Sequence, residues 1–430
     1  MSESIFNTGI SGLNAAQWGL NITGQNISNA ATPGYSVEAP VYVESSGQYT
    51  GSGYIGGGVT TSTVTRSYSS YLNQTMNSAT ATSNSQNTYF ALMSQLNNLV
   101  GSPTAGISTG MSSYFSSMQS VSTDPSTTST RQSALSSAQS LADQFNAAAS
   151  TYDQLRESVN TSLSSSAAQI NSFTTQIATL NQQIAVASAQ GQPPNQLLDA
   201  RDLAVTNLNA LVGVNVTTQN GNYNVTFSNG QPLVIGTSSY AVETTTSASD
   251  PSELSLAYAP PAGTTPTPAT TQYIADSAVT GGSVGGMVQF RDQSLDPAQA
   301  QLGALATSFA GQVNAQNEAG VDLSGNAGGK LFTTGASTVY SNALNTGTAV
   351  VTAQIANPSQ PPSSDYTLTY TAAGTYTVSD KASGASLGSF TSMALAGQSI
   401  GLTLTDTGTP AAGDSFTIQP TRGALDNFAL

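Results

Sequence analysis

The chain has 430 residues, a formal net charge of −14 and only 7% charged side chains, against about a quarter in ordinary soluble proteins. It contains no cysteine and no histidine, which excludes disulfides, thiol nucleophiles, the usual zinc sites and every Ser-His-Asp arrangement. Eight basic residues against 22 acidic ones argue against nucleic acid or an anionic membrane as partner, because both need clustered Lys and Arg.

No apolar run approaches the ~18 residues of a membrane span, and the N-terminus shows neither a basic n-region nor an apolar h-region. The length suits two to four domains. From Ile5 the apolar and small positions fall at Ile5, Gly9, Leu13, Ala16, Leu20, Thr23 and Ile27, a narrow stripe on one helix face. The pattern stops at Asn29. Pro33 cannot continue a helix, Gly34 tolerates a sharp turn, and beyond Tyr35 the residues Val37, Ala39, Val41 and Val43 alternate as a strand or extended arm would. Gly9, Gly12, Gly19 and Gly24 each cost the helix roughly 1 kcal/mol against Ala, and the stripe is too thin to cover a core. Such a helix is an assembly element. It is expected to be ordered by a second helix or another copy of the chain, and frayed without one.

Residues 44–66, rich in Gly, Ser and Thr, read as loop and short strand. A helical pattern runs from Tyr68 to Val100 and stops at Gly101-Ser-Pro103; Met111, Phe115 and Met118 mark a shorter helix. The longest signal starts at Leu135 and passes through Leu141, Phe145, Tyr152, Leu155 and Val159, then Ile170, Phe173, Ile177 and Ile184 to Ala187. A single helix of that length would span roughly 85 Å, a rod packed antiparallel to 68–100. Asn195–Val212 restarts as a short amphipathic helix, in which Arg201 between Asp199 and Asp202 reads as an ion-pair and cap network. Asn220-Gly221 and Asn229-Gly230 between alternating runs predict two hairpins. Residues 244–271, rich in Thr, Pro and Ala, read as an exposed loop.

Gly281, Gly285 and Gly286 lack any phosphate-loop pattern, and Asp322 with Asn326 lacks the position-12 Glu of a calcium loop. A helix over 294–316 should lie along the rod. From Ser337 the composition turns to strand and turn. The fold class expected is α+β, multidomain: an elongated long-helix bundle with β-hairpins and a small all-β domain, sandwich or barrel. The expected divisions are 1–43, 44–336 with the hairpins inserted around 213–280, 337–424, and a return to the helical body over 425–430.

The stretch SIFNTGISGLNAAQWGLNITGQNISNAATPGYS resembles the N-terminal signature of bacterial flagellar rod, hook and hook-associated proteins. LLDARD at 197–202, SNGQPLVIG, the run from Gly281 to Phe332 and GDSFTIQPTRGA at 413–424 resemble the hook-associated protein 1, or hook-filament junction, family. The resemblance implies a structural axial protein without catalytic site, cofactor or metal, joining hook to filament by packing of terminal helices. Ile5, Leu13, Ala16, Leu20, Ile27, Asn29, Pro33, Gly34 and Tyr35 would form the assembly interface. The implied partners are other copies of the chain, the hook protein, a second hook-associated protein on the filament side, and the flagellar export apparatus with its chaperone. The implied location is extracellular. Members of the family end in a further helix that pairs with the N-terminal one, and nothing after Leu430 supplies it here. The alternatives are another axial subunit, or an extracellular adhesin or glycan-acting enzyme, the last needing two carboxylates about 5–10 Å apart.

Overall fold

The structure, a computed structural model, describes residues 2–51, 53–100, 106–260, 267, 270–371 and 374–430. In chain order it runs α1 (Ser2–Ser28), β1 (Glu38–Glu44), β2 (Gln48–Thr50), β3 (Gly53–Ile55), β4 (Val59–Arg66) and α2 (Ser70–Val100). Next come α3 (Ile107–Thr123), α4 (Thr128–Ser188), α5 (Asn195–Leu211) and the strands β5 (Val214–Gln219), β6 (Asn222–Phe227), β7 (Pro232–Ile235) and β8 (Ser238–Ser239). β9 (Val242–Thr246), β10 (Leu254–Tyr258), α6 (Gly282–Phe290), a π-helical turn (Arg291–Leu295) and α7 (Asp296–Glu318) follow. The last segment holds β11 (Thr338–Ser341), β12 (Val350–Ile355), β13 (Tyr366–Thr371), β14 (Thr375–Asp380), β15 (Ser386–Phe390), α8 (Met393–Ser399), β16 (Leu402–Thr407) and β17 (Ser415–Gln419). The expected stop at Gly101–Pro103 lies outside the described residues.

The chain forms two compact units. The first comprises residues 1–85, 166–242 and 277–285. In it β1 and β4 pair antiparallel, from Glu38 opposite Arg66 to Glu44 opposite Val59. β5 to β8 form a sheet in sequence order. Its first turn uses Asn220 (φ 50°) and Gly221 (φ 81°), the positive-φ pair that an Asn-Gly hairpin requires. Asn181 of α4 fixes that sheet: its Oδ1 accepts from Tyr223 N at 3.0 Å, and its Nδ2 donates to Tyr223 O at 2.8 Å and Gly236 O at 2.6 Å.

The second unit comprises residues 86–165, 243–276 and 286–430. Its helical core gathers Leu141 and Phe145 of α4, Tyr114 of α3, Phe309 of α7, Phe332 and Phe428. The rings meet edge-on or tilted, with Tyr114 and Phe309 centroids 5.4 Å apart and Phe145 and Phe428 4.7 Å apart. α7 thus packs on α4 as expected. On α2, Tyr89 stacks edge-on against Phe290 and shares a 2.8 Å hydrogen bond with Ser294. The predicted α4 stripe is buried at most positions from Ala138 to Ile184, while Leu135 at its start is exposed.

The small β domain is a five-stranded antiparallel sheet in the order β11-β17-β13-β14-β15, with a β12–β16 pair. Val351, Leu368, Val378, Leu404, Phe416 and Ile418 fill its core together with Met393 and Ala396 of α8. That short helix, capped by Ser392 accepting from Leu395 N, was not expected inside an all-β segment.

The exposed loop expected over 244–271 is corrected in its first half. β9 and β10 lie there, and Asp250 and Glu253 between them are buried. They join a network that ties the β domain to the helices. Arg422 reaches Asp250 (3.2 Å), Asp296 (3.1 Å) and Asp365 (3.1 Å). Lys381 reaches Asp296 (3.1 Å) and Glu253 (3.3 Å), and Arg156 of α4 reaches Asp296 at 2.8 Å. The π-helical turn brings Arg291 to Asp276 and Asp292, both at 2.8 Å, and to Glu253 at 3.3 Å. A chain poor in charge thus spends its cations inside, where an unpaired carboxylate would be costly.

Candidate assembly site

α1 presents two faces. Ile5 (75% exposed), Leu13 (63%), Leu20 (73%) and Ile27 (72%) stand in solvent, and Ala16 between them is exposed as well. The other face is covered by the chain's own β1–β4 pair. Ala15 and Ile22 are buried there, Tyr42 Oη donates to Ala15 O at 3.1 Å, and Val59 N donates to Ser11 Oγ at 3.2 Å. A Cβ on Gly19 would lie 2.8 Å from Tyr42 Oη, so this glycine permits the close approach. Asn26 and Glu38 pair reciprocally: Asn26 Nδ2 donates to Glu38 O at 2.8 Å, and Glu38 N donates to Asn26 Oδ1 at 2.9 Å. The stripe itself stays uncovered by the chain, as expected, while the opposite face of α1 has a partner that the periodicity does not show. The covering residues lie on β-strands, one face round from the stripe that periodicity picks out.

The segment after α1 is fixed residue by residue. Asn29 Nδ2 donates to Gln25 O at 3.0 Å and Thr32 N donates to Asn29 O at 2.9 Å, closing the helix end. Pro33 is exposed. Gly34 turns the chain at φ 80°, and a Cβ there would sit 2.9 Å from Leu203 Cβ of α5. Tyr35 Oη donates to Asn26 Oδ1 at 2.6 Å. Ser36 then places its backbone N and its Oγ on Asp199, at 2.9 and 2.7 Å.

Asp199 is thus the receptor of the arm, and Arg66 at the end of β4 completes it. Arg66 NH1 bridges Asp199 at 2.8 Å and Asp202 at 2.5 Å, and its guanidinium lies 4.2 Å from the Tyr68 ring centroid. Burial works against the Arg66 charge, but the hydrogen bonds it donates to Asp199 and the charge of the Asp202 carboxylate outweigh it and raise its pKa. Tyr223 Oη donates to Asp202 at 2.7 Å; burial, then the Asp202 charge, raises its pKa far above the usual phenol value.

Arg201 does not pair with its sequence neighbours. It points the other way, donating to Asn181 Oδ1 at 3.0 Å and Gly221 O at 2.8 Å, and lies 3.6 Å over the Tyr223 ring. Burial lowers its pKa. The ion-pair reading of this motif holds with Arg66 in the place of Arg201, and the cap reading does not: α5 begins after Pro194 with no side-chain cap. Sequence reasoning missed Ser36 and Arg66. Every oxygen of both carboxylates accepts at least one hydrogen bond, an arrangement that suits positioning. Removing Asp199 leaves Arg66, Ser36 N and Ser36 Oγ short of a partner, each charged hydrogen bond being worth about 1.5–3 kcal/mol. We predict that Asp199→Ala raises hydrogen exchange across Tyr35–Glu38 at least tenfold, while exchange in the β12–β16 pair stays unchanged.

Residues 93–332 match the flagellar hook-associated protein FlgK helical domain, residues 340–420 the D2-like domain of flagellar hook-associated protein 1, and residues 6–35 the flagella basal body rod protein family. Flagellar hook-associated protein 1 of Escherichia coli K12 is 33% identical over 440 residues, covering 99% of this chain and 77% of its own length. That of Salmonella typhimurium is 33% identical over 373 residues, covering 86% of this chain and 66% of its own. The solved structure of the flagellar hook junction protein FlgK from Burkholderia pseudomallei matches with a TM-score of 0.77 and 51% identity, over 83% of this chain and 64% of that one. The chain therefore spans about two thirds of the Salmonella and Burkholderia relatives. With over half of it matched by the helical domain and a 33% identical relative covered to 77%, the chain belongs to the flagellar hook-associated protein 1 family, structural proteins of the bacterial flagellum.

Proposed function

We propose that this chain is a subunit of the junction between flagellar hook and filament, and that α1 is the surface by which it assembles. One observation carries the reading. Four large apolar residues, Ile5, Leu13, Leu20 and Ile27, lie 63–75% exposed along one helix whose other face is held by the β1–β4 pair and, through Ser36, by Asp199. A free helix would lose conformational freedom on docking; one already held in place loses less. Burying each exposed Ile or Leu against a neighbour contributes about 1.5–3 kcal/mol. Ala16 completes the contact surface, and Asn29, Pro33, Gly34 and Tyr35 set the angle at which α1 leaves the body.

The partners on this reading are neighbouring copies, the hook protein on one side and a second hook-associated protein on the other. The chain reaches them outside the cell through the flagellar export apparatus with its chaperone, a route suited to a chain without disulfides. The role is structural, since the carboxylates that come together are engaged by arginine or lysine. Electron microscopy of a strain lacking the gene tests this. Hooks without filaments support the junction role, and normal filaments contradict it.

A further inference from the structure

The network at the base of the β domain is short of positive charge. Arg291 already holds Asp276 and Asp292 at 2.8 Å, closer than its 3.3 Å approach to Glu253. That leaves Arg156, Lys381 and Arg422 to face four buried carboxyls, Asp250, Glu253, Asp296 and Asp365. Oxygens of Glu253, Asp292 and Asp296 lie within 4.8 Å of one another. Lys381 Nζ stands 3.1 Å from Asp296 and 3.3 Å from Glu253. Asp365 Oδ1 is buried with no hydrogen-bond partner. Three cations among four carboxyls away from water leave room for a proton.

We propose that the joint between the β domain and the helices is a proton site: at neutral pH a proton is shared between Glu253 and Asp296, and its loss weakens the joint. Asp296 keeps the charge. Burial opposes it, but Lys381, Arg422 and Arg156 outweigh burial and hold its pKa far below the usual range, with Glu253 donating to it. Burial and the adjacent Asp296 charge push Glu253 up to about 8, against the pull of Lys381 and Arg291. Asp250 of the same loop adds to the upward shift, and Arg422 lies 3.6 Å away. Burial likewise pushes Asp365 up to about 6. Both folded values exceed the unfolded ones near 4, so folding takes up protons. The stability this contributes is complete below the unfolded pKa and is lost as pH rises, through about 6 for Asp365 and about 8 for Glu253. In a chain without histidine, these carboxyls supply a response at neutral pH.

The test is a 13C titration of the full chain labelled at glutamate Cδ, with urea unfolding of wild type and Glu253→Gln at pH 6 and 9. One of the seven glutamates titrates near pH 8, and that resonance is missing in the variant. Between pH 6 and 8 the wild-type unfolding constant rises by up to about tenfold per pH unit, the slope for one bound proton. Glu253→Gln retains a donor to Asp296, loses the slope and is more resistant to urea than wild type at pH 9. The proposal is overturned if every glutamate titrates below pH 6. It is also overturned if Glu253→Gln weakens the chain more at pH 9 than at pH 6, as loss of an ionised partner of Lys381 would.

Discussion

Leu13→Asp and Leu20→Asp should each abolish filament attachment in cells while leaving the free chain's melting temperature within about 2 °C of wild type. Both side chains are exposed, at 63% and 73%, and substitutions at such positions usually change stability by under about 0.5 kcal/mol. In an assembled flagellum the same carboxylate would be buried against an apolar neighbour without a partner, which costs several kcal/mol. Motility and electron microscopy of a complemented deletion strain read the first effect, and calorimetry of the purified variant reads the second. Ile22→Asp is the contrasting case. Ile22 is buried against the chain's own β1–β4 pair, so this variant should release α1 in the free chain as well.

Arg422→Met should be the most destabilising single change in the second unit, by about 3–5 kcal/mol. It leaves Asp250, Asp296 and Asp365, which Arg422 reaches at 3.1–3.2 Å, buried without one of their cations, and breaking a buried pair from one side costs on that order. Arg131→Met is the control. Arg131 is exposed and makes only 3.5 Å contacts to Ser126 and Thr128, so its loss should stay within about 0.5 kcal/mol. Urea unfolding at pH 7 separates the two. Because Arg422, just after β17, joins the β domain to Asp296 of α7, Arg422→Met should also raise protease sensitivity in the segments entering and leaving the β domain.

Much of this architecture was legible wherever a local rule decides it. The spacing of three and four from Ala138 to Ile184 needs one continuous helix, and Asn220-Gly221 needs a two-residue turn. The charge networks were not legible, because their partners are distant in sequence. Asp199 is read next to Arg201, yet binds Ser36 and Arg66, 163 and 133 residues away. Asp250 and Glu253 sit in a stretch whose Thr, Pro and Ala content speaks for a loop. Only the fold brings Arg422 and Lys381 to cover them. For α1 the reason is different. Its apolar residues lie on two faces, and most of the large ones mark the exposed face. Ala15, Gly19 and Ile22 carry the covered face, where small size is what lets Tyr42 approach.

On the proposed function, the outward stripe of α1 is open in the free chain and closed in the flagellum. The absence of native cysteine allows a direct measurement: maleimide labelling of Leu20→Cys, with Ile22→Cys as reference, in purified chain and in isolated hook-filament particles. Position 20 should label rapidly in the free chain and at least tenfold more slowly in the particles, and position 22 should label slowly in both. Position 20 protected in a verified monomer, or equally reactive in the particles, would contradict the proposed function.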